Sequence, residues 1–282
     1  MDTDQGHHAG LPIRRDLTLS YGLSFAIAIL MAVASVAGLL RRTAIYPTDE
    51  LLRSFVPNDV VNILIGLPIL LGSLWLARRD KLIGLLFWPG ALFYVLYNYM
   101  VYVFAMPLNV AFLLHLVLVT LSVYTLIGLI AGIDGEAVKQ RLAGAVPERL
   151  AGGVLAGGVL AGLGLLFLLQ VIGAISAALS SQTSIAETEL ALHISDFMIA
   201  PALVIGGALL WRREEFGYVI GLGLLFQTSM LFIGLIMFLL LQPLLTTAPF
   251  ALADVVVISI MGLICFVPFG LFVRGVVSKG KP

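Results

Sequence analysis

The chain has 282 residues, 60% of them hydrophobic and 11% charged, with no formal net charge and a mean hydropathy of +1.08. That balance excludes a water-soluble globule, and the lack of any basic tract excludes a surface for nucleic acid. The single cysteine, Cys265, excludes an intramolecular disulfide.

Apolar runs approach 20 residues, the length a helix needs to cross about 30 Å of hydrocarbon. The runs are continuous rather than alternating, and Leu, Ala, Gly and Ile dominate them, so a transmembrane β-barrel is excluded as well. The predicted fold is an all-α polytopic transmembrane helix bundle of eight spans. They lie near 20–40, 60–77, 82–106, 108–132, 152–178, 190–211, 217–241 and 250–273.

Arg14-Arg15-Asp16-Leu17 precedes the first span and resembles a twin-arginine signal. An apolar run of about 20 residues is long for a signal core, so the span is read as retained. The second span follows Thr48-Asp49-Glu50-Leu51 and Pro57-Asn58-Asp59, where Asp59 also suits the positive end of a helix. It closes on Trp75 and Arg78-Arg79. The third carries Pro89-Gly90, then Tyr94, Asn98 and Tyr102 at i, i+4 and i+8, with Tyr99 and Tyr102 read as an interfacial aromatic belt. The fourth presents His115 and Ser122 on one face.

A polar joint over 133–150 follows, with a short interfacial helix predicted at 137–142. The fifth span opens on a small-residue ridge, Gly153, Gly157 and Ala161, which lets two helix backbones approach closely in lipid. A contact within the chain is expected there, with a second helix partner as the alternative. The sixth span begins with Thr188-Glu189-Leu190, His193 and Asp196 and closes on Trp211-Arg212-Arg213. Gln227, Thr228 and Ser229 give the seventh uncharged polar groups. The eighth has Asp254 near its start and Pro268 inside.

Lys and Arg gather in cytoplasmic loops, which fixes orientation. With the amino terminus inside, that face receives Arg14, Arg15, Arg78, Arg79, Lys81, Lys139, Arg141, Arg149, Arg212, Arg213, Arg274, Lys279 and Lys281. The external face receives only Arg41, Arg42 and Arg53. Both termini are therefore expected on the cytoplasmic side of the cell membrane. Landmarks recur in the same order in 1–140 and 141–282, with Trp75 set against Trp211 and Pro107 against Pro243. Four spans per half is an even number, so the expectation is a parallel repeat rather than an inverted one.

No charged residue lies near the midplane of any span, which argues against a proton pump built on a central carboxylate. Polar groups collect instead in the outer half. Asp59, Asn62, Tyr94, Asn98, His115, His193, Asp196 and Asp254 are the candidate substrate- or ion-binding residues, expected to line a vestibule open to the outside. No Gly-x-Ser-x-Gly, His-Glu-x-x-His or Asp-x-x-x-Asp pattern is present, so no catalytic residue, metal or cofactor is assigned. The partners read from the chain are the lipid bilayer and a small-molecule ligand. The leading reading is a small-molecule carrier or permease. A non-catalytic membrane subunit or sensor comes second, and a membrane-embedded lipid-modifying enzyme third.

Overall fold

The computed structural model describes residues 10–142 and 154–279. They form α1 (Thr18–Leu40), α2 (Arg42–Ile45), α3 (Asp49–Val61), α4 (Leu67–Arg78), α5 (Leu82–Ala105), α6 (Val110–Gly132), α7 (Gly135–Leu142), α8 (Val154–Ser181), α9 (Glu187–Trp211), α10 (Glu215–Leu245) and α11 (Leu252–Lys279). A single π-helical turn, Asn62–Gly66, joins α3 to α4 without a break. Counting that pair once, eight helices are long and apolar enough to cross a membrane, and no strand occurs among the described residues. The protein is an all-α integral membrane protein of eight candidate spans.

Sharp corners make the passes antiparallel. Asp80 and Arg213 adopt left-handed φ of 56° and 59°, turning the chain after α4 and α9. At the other corners, polar side chains satisfy free amides at the helix starts. Thr48 caps α3 through the Leu51 amide at 3.2 Å, and Asn109 caps α6 through Phe112 at 2.9 Å. Leu17, Asp80, Ile133 and Arg213 thus share one end of the bundle, here called the basic end. Tyr46, Pro107, Gln182 and Thr246 share the opposite end.

At the basic end the segment before α1 docks on the corner between α6 and α7. Arg14 N donates to Gly132 O at 2.8 Å and Asp134 N to Pro12 O at 2.9 Å, forming an isolated bridge between Ile13 and Ile133. Helix α7 covers the predicted 137–142 and begins two residues earlier. Asp134 lies outside the spans and caps α7. The Ala137 amide and then the Arg14 guanidinium hold its carboxyl below the usual carboxylate range.

Helices α5 and α10 occupy the centre, packed on each other and on both sets of neighbours. Their backbones touch where a Cβ on Gly90 would run into the carbonyl of Gly223. The same interval along the chain separates Gly90 from Gly223, Asp80 from Arg213, Pro68 from Pro201, and Gly84 from Gly217. Gly84 lies against the backbone of Leu76 and Ala77, and Gly217 against that of Leu209 and Leu210, so both inner hairpins close in the same way.

Helix α8 packs chiefly on α9 through the small-residue ridge. A Cβ on Gly157 would stand 2.5 Å from Gly207 O, and one on Gly207 would stand 2.5 Å from Ala161 N. Gly153 lies outside the described residues. Helices α8 and α11 are the least covered spans, each with 22% of its apolar window buried, whereas α5 reaches 78%.

Candidate functional site

The polar residues of the first half converge near the opposite end, on the Asp59 carboxyl. Asp59 is 1% exposed although it sits in a membrane-spanning helix. Its Oδ2 accepts the Tyr46 hydroxyl at 2.6 Å, and its Oδ1 accepts the Tyr102 hydroxyl at 2.9 Å. Three chain features make this possible. The short α2 returns Tyr46 over the end of α1. Tyr102 lies in the last turn of α5. Gly38, near the end of α1, leaves the space that both groups fill, since a Cβ there would collide with Asp59 Oδ2 and stand 2.5 Å from the Tyr46 hydroxyl.

A second layer surrounds the carboxyl. The Tyr102 oxygen accepts from Asn58 Nδ2 at 3.3 Å and from Asn62 Nδ2 at 3.5 Å. Asn58 also donates to Asn98 Oδ1 at 3.4 Å, and Asn98 donates to the Tyr94 carbonyl one turn back at 3.0 Å. The His115 ring rests on Tyr102 and Tyr99, at centroid distances of 4.7 and 5.6 Å. Phe55 closes the far side of Tyr102 at 4.3 Å. No cationic side chain forms an ion pair with Asp59 among the described residues. Two buried polar atoms of this region meet no hydrogen-bond partner, Asn62 Oδ1 and His115 Nδ1, while the buried Ser35 hydroxyl faces the Asp59 carboxyl and the Tyr99 hydroxyl.

Five of the eight candidates, Asp59, Asn62, Tyr94, Asn98 and His115, therefore belong to one region. Two others form a separate site between α5 and α9. Asp196 Oδ1 accepts the Tyr97 hydroxyl at 2.8 Å. His193 turns toward Glu189, with Nε2 and Oε1 3.6 Å apart, beyond hydrogen-bond range but close enough to attract when the ring is charged. Asp254 joins neither group and is exposed in the first turn of α11.

Seven of the eight candidates, all but Asp254, are buried and packed closed, so they line no open vestibule in this conformation. The physical reason is that the aromatic residues expected in an interfacial belt, Tyr99 and Tyr102, point inward and fill the space between α1, α3 and α6. Tyr46, Ser35 and Gly38 complete the first site and were not singled out as site residues in the sequence; Tyr97, adjacent to the Tyr94, Asn98 and Tyr102 stripe, completes the second. Tyr46 and Gly38 lie at span ends, where helical periodicity carries no signal.

The closure continues across the two halves at the opposite end. Glu50 Oε1 accepts the Thr188 amide and hydroxyl at 2.9 and 2.6 Å. The Arg53 guanidinium donates to Thr247 Oγ1 at 3.0 and 3.2 Å, and the Arg53 carbonyl accepts from Gln242 at 3.2 Å. At the basic end the halves also meet, with Arg14 Nη2 4.0 Å from Glu215 Oε2 and Gly135 against Glu215. A cavity of about 850 Å³ lies there between α6, α9 and α10, with Ile127, Ile130, Leu209, Phe216 and Val219 as apolar walls. Arg14, Arg212, Glu214 and Glu215 give it a charged rim.

Compared with protein-family models, with curated proteins and with solved structures, the chain matches none.

Proposed function

We propose that the protein is a small-molecule carrier of the cell membrane, closed toward the outside and open toward the cytoplasm in the conformation described. The observation that carries this reading is the asymmetry of the junction between halves. Hydrogen bonds join it at the opposite end, whereas at the basic end a cavity opens beside the Arg14–Glu215 contact. Alternating access needs such a junction, with each end closing in turn as one half rocks on the other. The glycine contact between α5 and α10 suits a fulcrum, because two backbones meet there, flanked by the stacked rings of Phe87 and Phe226.

The matched features of the inner hairpins favour two parallel four-helix repeats over 1–140 and 141–282. The basic end, carrying Arg78, Arg79, Lys81, Arg212 and Arg213, is then the cytoplasmic one. Asp59, Asn62, Tyr94, Asn98 and His115 form the polar site toward the outside, with His193 and Asp196 beside the junction.

Thiol accessibility tests the reading without knowledge of the cargo. In a chain with Cys265 replaced by Ala, Ile130→Cys should react with an impermeant thiol reagent from the cytoplasmic side. Asn58→Cys should react from outside, and oxidative bridging of Glu50→Cys to Thr188→Cys should abolish that reaction. Asn58→Cys inert with the bridge reduced as well as oxidised would rule out a carrier.

A further inference from the structure

The buried Asp59 carboxyl has both oxygens hydrogen-bonded, by Tyr46 and Tyr102, but no cationic side chain paired with it among the described residues. An ionised carboxylate withdrawn from water into a membrane span is strongly disfavoured unless a positive charge accompanies it. Asp59 is 1% exposed and has no cationic side chain paired with it among the described residues. The groups facing it can be named element by element. Ser35 and Gly38 come from α1, Tyr46 from the segment after α2, Asn58 and Asn62 from its own helix and the π turn, and Tyr99 and Tyr102 from α5. From α6, His115 lies behind Tyr102 rather than on the carboxyl. Arg41 and Arg42 are exposed, and Arg53 is turned to Thr247. None of these supplies a cation.

Asn62 Oδ1, on the turn that follows Asp59, is fully buried without a hydrogen-bond partner. Such atoms are rare in folded proteins and commonly mark a bound ion or water. The chain is also irregular at this point, since the π turn Asn62–Gly66 begins at Asn62 itself. A π turn replaces the regular i→i+4 pattern with i→i+5 bonds, and such turns concentrate at functional sites.

We propose that Asp59, Asn62 and Ser35 bind a single monovalent alkali cation, with sodium the ion to test. One positive charge neutralises the one carboxylate, whereas a divalent ion would leave a net charge in lipid. No three His, Cys, Asp or Glu side chains converge among the described residues, so a transition metal lacks its usual donors. The hard oxygen donors present suit an alkali ion. A proton on Asp59 would neutralise the charge too, but it would leave Asn62 Oδ1 unpartnered. Occupancy of this site stands independently of transport, and its use as a coupling ion rests on the carrier reading.

The test uses the purified full chain in detergent, with choline replacing sodium at constant ionic strength. Radioactive sodium should bind at one saturable site, and sodium should raise the melting temperature where choline does not. Asp59→Asn should abolish both effects. Ser35→Ala keeps the carboxyl and should weaken sodium binding about tenfold, by analogy with the loss of a supporting group at a metal site. Ser35→Ala thus guards against an Asp59→Asn chain that fails to fold. Equal melts in sodium and choline without radioactive sodium bound would overturn the proposal. So would sodium binding that survives Asp59→Asn. A third contrary result is an infrared band of a protonated carboxyl, present in sodium buffer at neutral pH and removed by Asp59→Asn. None of these measurements depends on movement of the two halves, so failure here and failure of the carrier reading are separable.

Discussion

Gly38 and Tyr102 decide whether the Asp59 cluster can assemble. Gly38→Ala places a methyl group where Asp59 Oδ2 and the Tyr46 hydroxyl meet, and overpacking of this kind costs about 1–3 kcal/mol. The loss should show as a lower melting temperature in detergent. Gly72→Ala, with nothing within 4 Å of the new methyl, serves as the control and should hold or slightly raise the melt. Tyr102→Phe removes one donor to Asp59 and the acceptor shared by Asn58 and Asn62, and should cost about 1–3 kcal/mol on the same measurement. Asp134 gives a pH dependence outside the membrane. Its carboxyl titrates lower in the folded chain than in an unfolded one, so its contribution is complete above the ordinary carboxylate pKa and fades as pH falls through the lowered value. Protection of the Arg14 and Asp134 amides, corrected for the intrinsic slowing of exchange in acid, should therefore fall on acidification, and Asp134→Asn should remove that fall. The chemistry of Asp59, Asn62 and His115 was legible in the chain because polar groups in an apolar run are conspicuous. Their closure was not, because Tyr46 and Gly38 act from span ends where nothing in the pattern marks them.

Helices were the most legible level, and their discrepancies are informative. The second pass begins at Asp49, well before the expected 60, because Thr48 caps it and its polar first turns lie against other protein. Apolarity alone counts only residues that lipid would accept, so Pro57, Asn58 and Asp59 seemed to precede the span. The π turn left no sequence signal beyond Pro68, whose missing amide suits the point where the regular bonding pattern resumes. The ridge on α8 was legible as a contact surface, but its partner was not. Gly207 on α9 is one of two adjacent glycines, and either could have met Gly157. Gly157→Leu should force α8 away from α9, since the new side chain would enter the Gly207 carbonyl and the Trp211 backbone. Gly162→Leu, facing open space on the same helix, should leave the melt within about 0.5 kcal/mol of the parent. Comparing the two melts separates a packing effect from a change in apolarity.

At the scale of the molecule, the number of passes followed directly from the lengths of the apolar runs, while the pairing across halves did not. In lipid every face of a central helix is apolar, so no periodicity tells α5 that α10 lies beside it. The matched glycines did so only once their positions in space were known. Under the proposed repeat, their spacing would pair Arg78 rather than Trp75 with Trp211. Tryptophan at a membrane interface needs only approximate depth, whereas a glycine at a backbone crossing allows none. Reporter fusions at residue 12 and after residue 279 should both report the cytoplasm, and a split result would remove the basis for the proposed orientation. Gly90→Val and Gly223→Val should each separate α5 from α10, costing about 1–3 kcal/mol.

The heavy covering of α5 carries a consequence for biogenesis. Its best window has the lowest mean hydropathy of the eight, 1.4 against 2.2 for the pass before it and 2.3 for the one after. A segment so rich in tyrosine and asparagine gains little by leaving the insertion channel alone, because its hydroxyls and amides are satisfied by neighbours rather than by lipid. Its partition into the bilayer is thus a cooperative act with the flanking passes. Nascent chains truncated after α5 should leave it incompletely integrated, and synthesis of α6 should rescue it.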